Sequence, residues 1–345
     1  MYDIEKKFIT TAAKFTLTDK DYNDLWEYAA KIDDWSYVYK LGSVKKVHNL
    51  IWCYSDKIIK KFCDKIVCDT WNEDIQSLKR CLKEVSEQFV SIIQFFNKSG
   101  FRYLTFNGIV KSNDLYPVYW TRDFDSLYFI LDNNSIENAK NYLIKELGFT
   151  YCERDDRNYH VLTYILKKEF SLSDNNSMDI FIELTTDTQF NNLIINNFSL
   201  ENNNLTFDFN IWENPIIVKF EDLDICVLSL ENDLIFNLLK THYILNLRYN
   251  NKNINIKYIW FLEIREFINK YYYQIDWDVF IHKINIKDLG EKIYFSLQNI
   301  NEICYSDSIS YMINLIKDKF FSKELGVNSN FERNSIRKEE LLTLN

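Results

Sequence analysis

The chain has 345 residues, 47% of them hydrophobic, 17% aromatic and 26% charged, with six glycines and two prolines. That apolar load excludes a disordered, collagen-like or linker-rich chain, and the length suffices for roughly two to three compact units. Against 41 Lys and Arg stand 50 Asp and Glu, a net charge of −9, which opposes general attraction to polyphosphate backbones and makes DNA and RNA less favoured partners.

The N-terminus, MYDIEKKFITT, has no continuous apolar stretch. No apolar run approaches the roughly 18 residues that span a bilayer, so a cytoplasmic protein without membrane contact is expected. The seven cysteines are odd in number, widely spread and without CxxC spacing, which predicts reduced thiols rather than disulfides or a zinc site.

The first hundred residues read as helices. Between 75 and 98 the positions Ile75, Leu78, Leu82, Val85, Phe89, Ile92, Ile93 and Phe96 step by three and four, the period of one helix face, and Gly100 closes that helix. Four of the eight Gly and Pro residues, Gly100, Gly108, Pro117 and Gly148, then punctuate one short stretch. Residues 101–107 predict a strand ending at Gly108, and RDFDSLYFIL (122–131) predicts a strand buried on both faces. Ser135 is the expected N-cap of a helix carrying Ile136, Ala139, Leu143 and Leu147 and closed by Gly148. Strands are expected at 159–168 and 178–184, with the polar SLSDNNS as a loop between them. After Ser229, another N-cap, helices are expected at 230–247, 254–273 and 277–285 and twice more toward Leu325, followed by a polar tail, 328–345, expected to be flexible.

Three groups of residues suggest chemistry. On a strand, Asp123 and Asp125 would point to one side with Leu127, Phe129 and Leu131, close enough to share cations. Oxygen-only ligands of this kind suit Mg²⁺ or Mn²⁺, which complete their shells with water and substrate phosphate. Upstream, Asn107 and Gly108 form a strand-to-helix turn, with Lys111 and Ser112 in the first helical turn, an arrangement that suits a phosphate. Downstream, Asp179, Phe181 and Glu183 alternate onto one strand face, which offers a third carboxylate, Glu183 first and Asp179 as the alternative. Solvent-facing carboxylates and a plain tight turn would produce the same patterns.

Taken in order, these segments resemble a family. YLTFNGIVKSNDLYPVYWTRDFDSLYFIL, ENAKNYLIKELGF, FIEL, LSLENDLIFNLLKTHYILNL, KYIWFLEIREFI and IDWDVFIHKI, with the helical lead-in DLWEYAAKIDDWSYVYKLG, are similar to the poorly characterised bacterial nucleotidyltransferases called family 5, in the DNA polymerase β-like superfamily. The resemblance implies an α+β fold: a polymerase β-like core of mixed sheet and flanking helices, residues 99–225, between helical regions at 1–98 and 226–327. It implies transfer of a nucleotidyl group from an NTP, expected to be ATP, with Asp123, Asp125 and Glu183 as catalytic metal ligands and Mg²⁺ or Mn²⁺ as cofactor. Asn107, Gly108, Lys111, Ser112, Arg122 and His242 would face the nucleotide. The acceptor is expected to be a small molecule, peptide or protein. Asn107 stands where the family has lysine, Ile109 follows the turn glycine, and Glu263 replaces a later helical aspartate. These departures keep in play a pseudo-transferase that binds a peptide or protein; a second rival, a toxin-like enzyme acting on tRNA, would need a basic groove.

Overall fold

The computed structural model describes residues 2–124, 126–152, 164–173, 176–190, 210–250, 255–285, 289–320 and 342. Asp125, residues 159–163 of one expected strand and, apart from Leu342, the expected tail lie outside the described residues. Five helices come first: α1 (Asp3–Ala12), α2 (Asp19–Ala29), α3 (Trp35–Val44), α4 (His48–Phe62) and α5 (Lys65–Ser99). Then follow β1 (Tyr103–Phe106), α6 (Gly108–Asp114), a 3₁₀ turn (Tyr119–Thr121), β2 (Ser126–Leu131), α7 (Ile136–Lys145), β3 (Thr150–Tyr151), β4 (Tyr164–Ser173), β5 (Asn176–Thr186), β6 (Ile216–Phe220) and β7 (Leu223–Val227). The chain closes with α8 (Leu230–Asn250), α9 (Tyr258–Tyr271), α10 (Trp277–Ile284), α11 (Leu289–Ile303) and α12 (Asp307–Phe320). The α+β class, with a mixed sheet and flanking helices between helical segments, is as expected.

Two compact units share the chain. One comprises 1–75, 115–123 and 234–345, the other 76–114 and 124–233.

The second unit holds a seven-stranded sheet in the order β3-β4-β5-β2-β1-β7-β6. At its centre β2 pairs antiparallel with β1 and parallel with β5, while β1 pairs parallel with β7. The apolar period of α5 builds the core of this unit. Phe89 and Phe96 lie against Phe129 of β2, Phe89 meets Phe220, and all three rings of the first contact are fully buried. Burial of each such ring is worth about 1.5–3 kcal/mol against leaving it in water. α5 begins at Lys65 rather than near residue 75. It ends as expected: Gly100 takes φ +66°, and the N–H groups of Phe101 and Gly100 close onto Phe96 O and Asn97 O.

Three local expectations change. The polar stretch 171–177 is largely strand, because β4 runs to Ser173 and β5 starts at Asn176, each extending the other's hydrogen-bonded ladder. β2 starts at Ser126, not at residue 122, because its ladder with β5 begins at the Ser126–Phe181 pair. Ser135 sits at the start of α7, but its hydroxyl donates to Asp132, whose other carboxylate oxygen accepts the N–H groups of Asn134 and Ser135. Ser229 does cap α8, accepting from Asn232 N at 3.2 Å.

The first unit is helical. Phe8 packs edge-on to Trp35, Trp52 meets Trp71, and Phe15 meets Tyr116. None of the seven cysteines is in a disulfide. Among the described residues no helix is long and apolar enough to cross a membrane.

Candidate active site

The residues just ahead of β2 divide in their partners. Asp123 lies outside the strand, and its Oδ2 accepts from Lys46 Nζ at 2.5 Å, with 16% of its side chain exposed. Burial pushes this carboxyl toward its neutral form, but the charge and hydrogen bond of the Lys46 ammonium, with the charge of Lys257 behind them, outweigh that and hold its pKa below the ordinary value. Asp123 is therefore a carboxylate kept charged in a half-buried place. His48, at the start of α4, is buried, its Nδ1 has no partner among the described residues, and burial lowers its pKa to about 4. Its imidazole is neutral at pH 7.

Arg122, one residue earlier, turns to α9. Its Nε donates to Glu263 Oε1 at 2.5 Å and its Nη2 to Oε2 at 3.3 Å, while the buried Tyr116 hydroxyl donates to Oε1 at 2.6 Å. The expected phosphate contact is thus part of an internal ion pair.

The Gly108 turn lies in the second unit. Asn107 has φ +55° and Gly108 φ +43°, and Asn107 O accepts the N–H groups of Val110 and Lys111 as α6 begins. A Cβ on Gly108 would sit 2.6 Å from Ser126 O, the first carbonyl of β2. The glycine is required by the packing of this turn on the strand, a reason that needs no ligand. Lys111 is 4% exposed, with its ammonium 3.7 Å from Asp233, and Ser112 is also buried. Asn107 is buried as well.

Glu183 pairs with Tyr128 of β2 and with Ile165 of β4. It therefore shares the Tyr128 face of the sheet, opposite the Leu127–Phe129 face that α5 covers. Asp179 lies on the same face, half-exposed, and its carboxylate meets Lys167 at 2.7 Å. His242, inside α8, is buried beside Phe295. It shares a 2.8 Å hydrogen bond with Asn246 through Nε2, and burial lowers its pKa to about 4. Its Nδ1 has no partner among the described residues.

A family model of uncharacterised nucleotidyltransferases matches residues 32–304, which is most of the chain. The chain belongs to that family. A solved structure of an antigenic nucleotidyltransferase-like protein from Paracoccidioides brasiliensis is similar over 74% of this chain and 94% of that chain, at 10% identity and a TM-score of 0.39. No curated protein matches.

For a member of this nucleotidyltransferase family Asp123 offers the donor that a hard divalent cation uses, an ionised carboxylate oxygen, but the Lys46 ammonium now paired with it would have to give way to the cation. Glu183 is a second buried carboxylate in the expected position along the chain. Among the described residues no three His, Cys, Asp or Glu side chains converge as a ready cage, and Asp125 lies outside them. Sequence reasoning missed Lys46 and His48 as neighbours of Asp123. The only signal was the basic run Val44-Lys45-Lys46-Val47-His48 between two helices, which nothing in the sequence ties to residue 123.

Proposed function

We propose that the chain transfers a nucleotidyl group from an NTP, ATP first among them, to a hydroxyl of a small molecule, peptide or protein, with Mg²⁺ or Mn²⁺ and release of pyrophosphate. The observation that carries this reading is Asp123, a carboxylate kept ionised directly ahead of Asp125 and β2, in a chain of a nucleotidyltransferase family. Asp123 and Asp125 would hold the cation, with Glu183 as the further carboxylate that the family resemblance assigns. The cation, when bound, neutralises phosphate charge and polarises the α-phosphate.

The chain's own residues supply the rest. Asp123 is already deprotonated, so cation binding at neutral pH displaces no proton from it. The acceptor oxygen attacks the α-phosphorus, the bond to the β-phosphate oxygen breaks, and pyrophosphate leaves. The acceptor's proton passes to a carboxylate, for which Glu183 is the candidate. Lys111 and Arg122 would contact phosphate only by loosening their pairs with Asp233 and Glu263. The net charge of −9 favours a small-molecule, peptide or protein acceptor over a nucleic acid. Action on tRNA would demand a basic groove and binding that weakens steeply with salt.

The test is incubation with each labelled NTP and Mg²⁺, alone and with candidate acceptors, scored for pyrophosphate and labelled product. Asp123→Ala and Asp125→Ala should each lower turnover by at least about 100-fold, since even outer-sphere losses at metal sites cost about 10–100-fold. Unchanged turnover in Asp125→Ala would overturn the site. The commitments of Lys111 and Arg122 favour a second reading, a non-catalytic module that binds a peptide or protein. A thermal shift that stays flat with millimolar Mg²⁺ and NTP would select it, whereas binding raises the melting temperature by mass action.

A further inference from the structure

The C-terminus of α3 closes with a Schellman motif: Val47 N–H donates to Gly42 O at 2.8 Å and Lys46 N–H to Ser43 O at 3.0 Å. Lys46 occupies the position just past the cap with φ +60°, where glycine is the usual residue. At the end of α5 the same motif does use a glycine, Gly100. A lysine held in left-handed backbone, against that preference, points to a use for its side chain. The side chain runs to Asp123, where its Nζ lies 2.5 Å from Oδ2. It also remains 35% exposed, so it has a route to solvent. Lys45, its neighbour, is different: it is buried, and its ammonium donates to Asn255 Oδ1 at 3.0 Å and Ile256 O at 3.5 Å.

We infer that Lys46 is the resident cation of this site: it neutralises Asp123 while no metal is bound, yields that carboxylate to the divalent cation, and then holds the phosphate chain of the nucleotide. The inference rests on the reading of Asp123 as a metal ligand. No covalent step is involved; one ion pair is exchanged for two.

The experiment uses the full chain as wild type, Lys46→Met, Lys46→Gly and Asp123→Asn, with the exposed Lys40→Met on α3 as a charge control. Mn²⁺ affinity is measured without nucleotide, affinity for inorganic tripolyphosphate is measured with Mn²⁺, and melting is followed without metal. Both Lys46 variants should bind Mn²⁺ about tenfold more tightly than wild type, because the competing ammonium is gone, and tripolyphosphate about tenfold more weakly. Lys46→Gly fits the left-handed backbone better than lysine, so it keeps the test alive if Lys46→Met folds poorly. Lys40→Met should move neither affinity. A purely structural Lys46 would lower the metal-free melting temperature and leave Mn²⁺ affinity unchanged or weaker, and that result overturns the inference. If wild type binds Mn²⁺ and Asp123→Asn abolishes binding while the Lys46 variants match wild type, only the inference fails. If wild type binds no Mn²⁺, the reading of Asp123 fails with it.

Discussion

Glu263 shows how little a residue's neighbours along the chain say about its partners. Its carboxylate receives Tyr116 and Arg122, from segments more than a hundred residues away, and 7% of its side chain is exposed. Glu263→Leu would strand the Arg122 guanidinium, 13% exposed, without its counter-charge. We expect that change to cost about 3–5 kcal/mol in urea unfolding, and Arg122→Met combined with Glu263→Leu to recover part of it, because the apolar pair removes the buried charge but still leaves the Tyr116 hydroxyl without this acceptor. Equal or additive losses in the double variant would contradict a buried pair. At this scale the sequence showed that Arg122, Asp123 and Asp125 formed a charged cluster, and this was legible because carboxylates spaced by two residues carry a chemical meaning. It could not show that Arg122 and Asp123 part company, one to Glu263 and the other to Lys46, since that depends on contacts 141 and 77 positions away.

Periodicity made most elements readable. The step of three and four in α5 and the caps at Gly100 and Ser229 correspond to the helices found. The β6–β7 hairpin went unread because its outward residue Ile217 is 69% exposed, so the apolar pattern does not mark a face. The alternation drawn through Asp123 and Asp125 failed as a guide to Asp123 because the ladder that enforces it starts only at Ser126. Two glycines separate local strain from packing. At Gly100, φ is +66° and an added Cβ would meet nothing within 4 Å, so Gly100→Ala should cost about 1 kcal/mol. At Gly108 the strained backbone, about 1–3 kcal/mol by itself, is joined by overlap with Ser126 O, so Gly108→Ala should destabilise markedly more. Chemical denaturation of the two variants compares them directly, and a Gly108→Ala protein as stable as Gly100→Ala would refute the packing role of Gly108.

For the molecule as a whole, contact rather than contiguity sets the grouping. Residues 115–123 belong with the helical unit and residues 76–99 of α5 with the sheet, a division that no composition shift along the chain announces. Stability against acid is also a property of the whole chain. His48 and His242 titrate near 6.5 when unfolded but near 4 in the fold, where burial opposes their charged forms. Between those values the unfolded chain binds more protons, so stability falls as pH drops from 6.5 to 4, by about 1.4 kcal/mol per pH unit for each histidine. Asp123, whose pKa is lowered, adds stability above its ordinary value of 3.8 and loses it only at lower pH, outside that window. Urea unfolding at pH 7, 6 and 5 should show this fall, with His242→Leu reducing the slope by about half; an unchanged slope would mean that His242 is protonated in the fold.

The ends of the seven-stranded sheet bear on how the protein behaves when crowded with its own copies. Sheet edges present unpaired N–H and C=O groups on which a second chain can add a strand and begin an aggregate. Here one end is β3, two residues long, which pairs only with Leu166 and Lys167 and so leaves the outer edge of β4 from Lys168 to Ser173 without a neighbour among the described strands. The other is β6, which enters directly after Pro215, a residue with no N–H to offer, and carries an exposed Lys219 whose charge would have to be buried by any incoming strand. The chain therefore guards the β6 end of its sheet, and the β4 edge beyond β3 is the place where strand addition between native copies would begin.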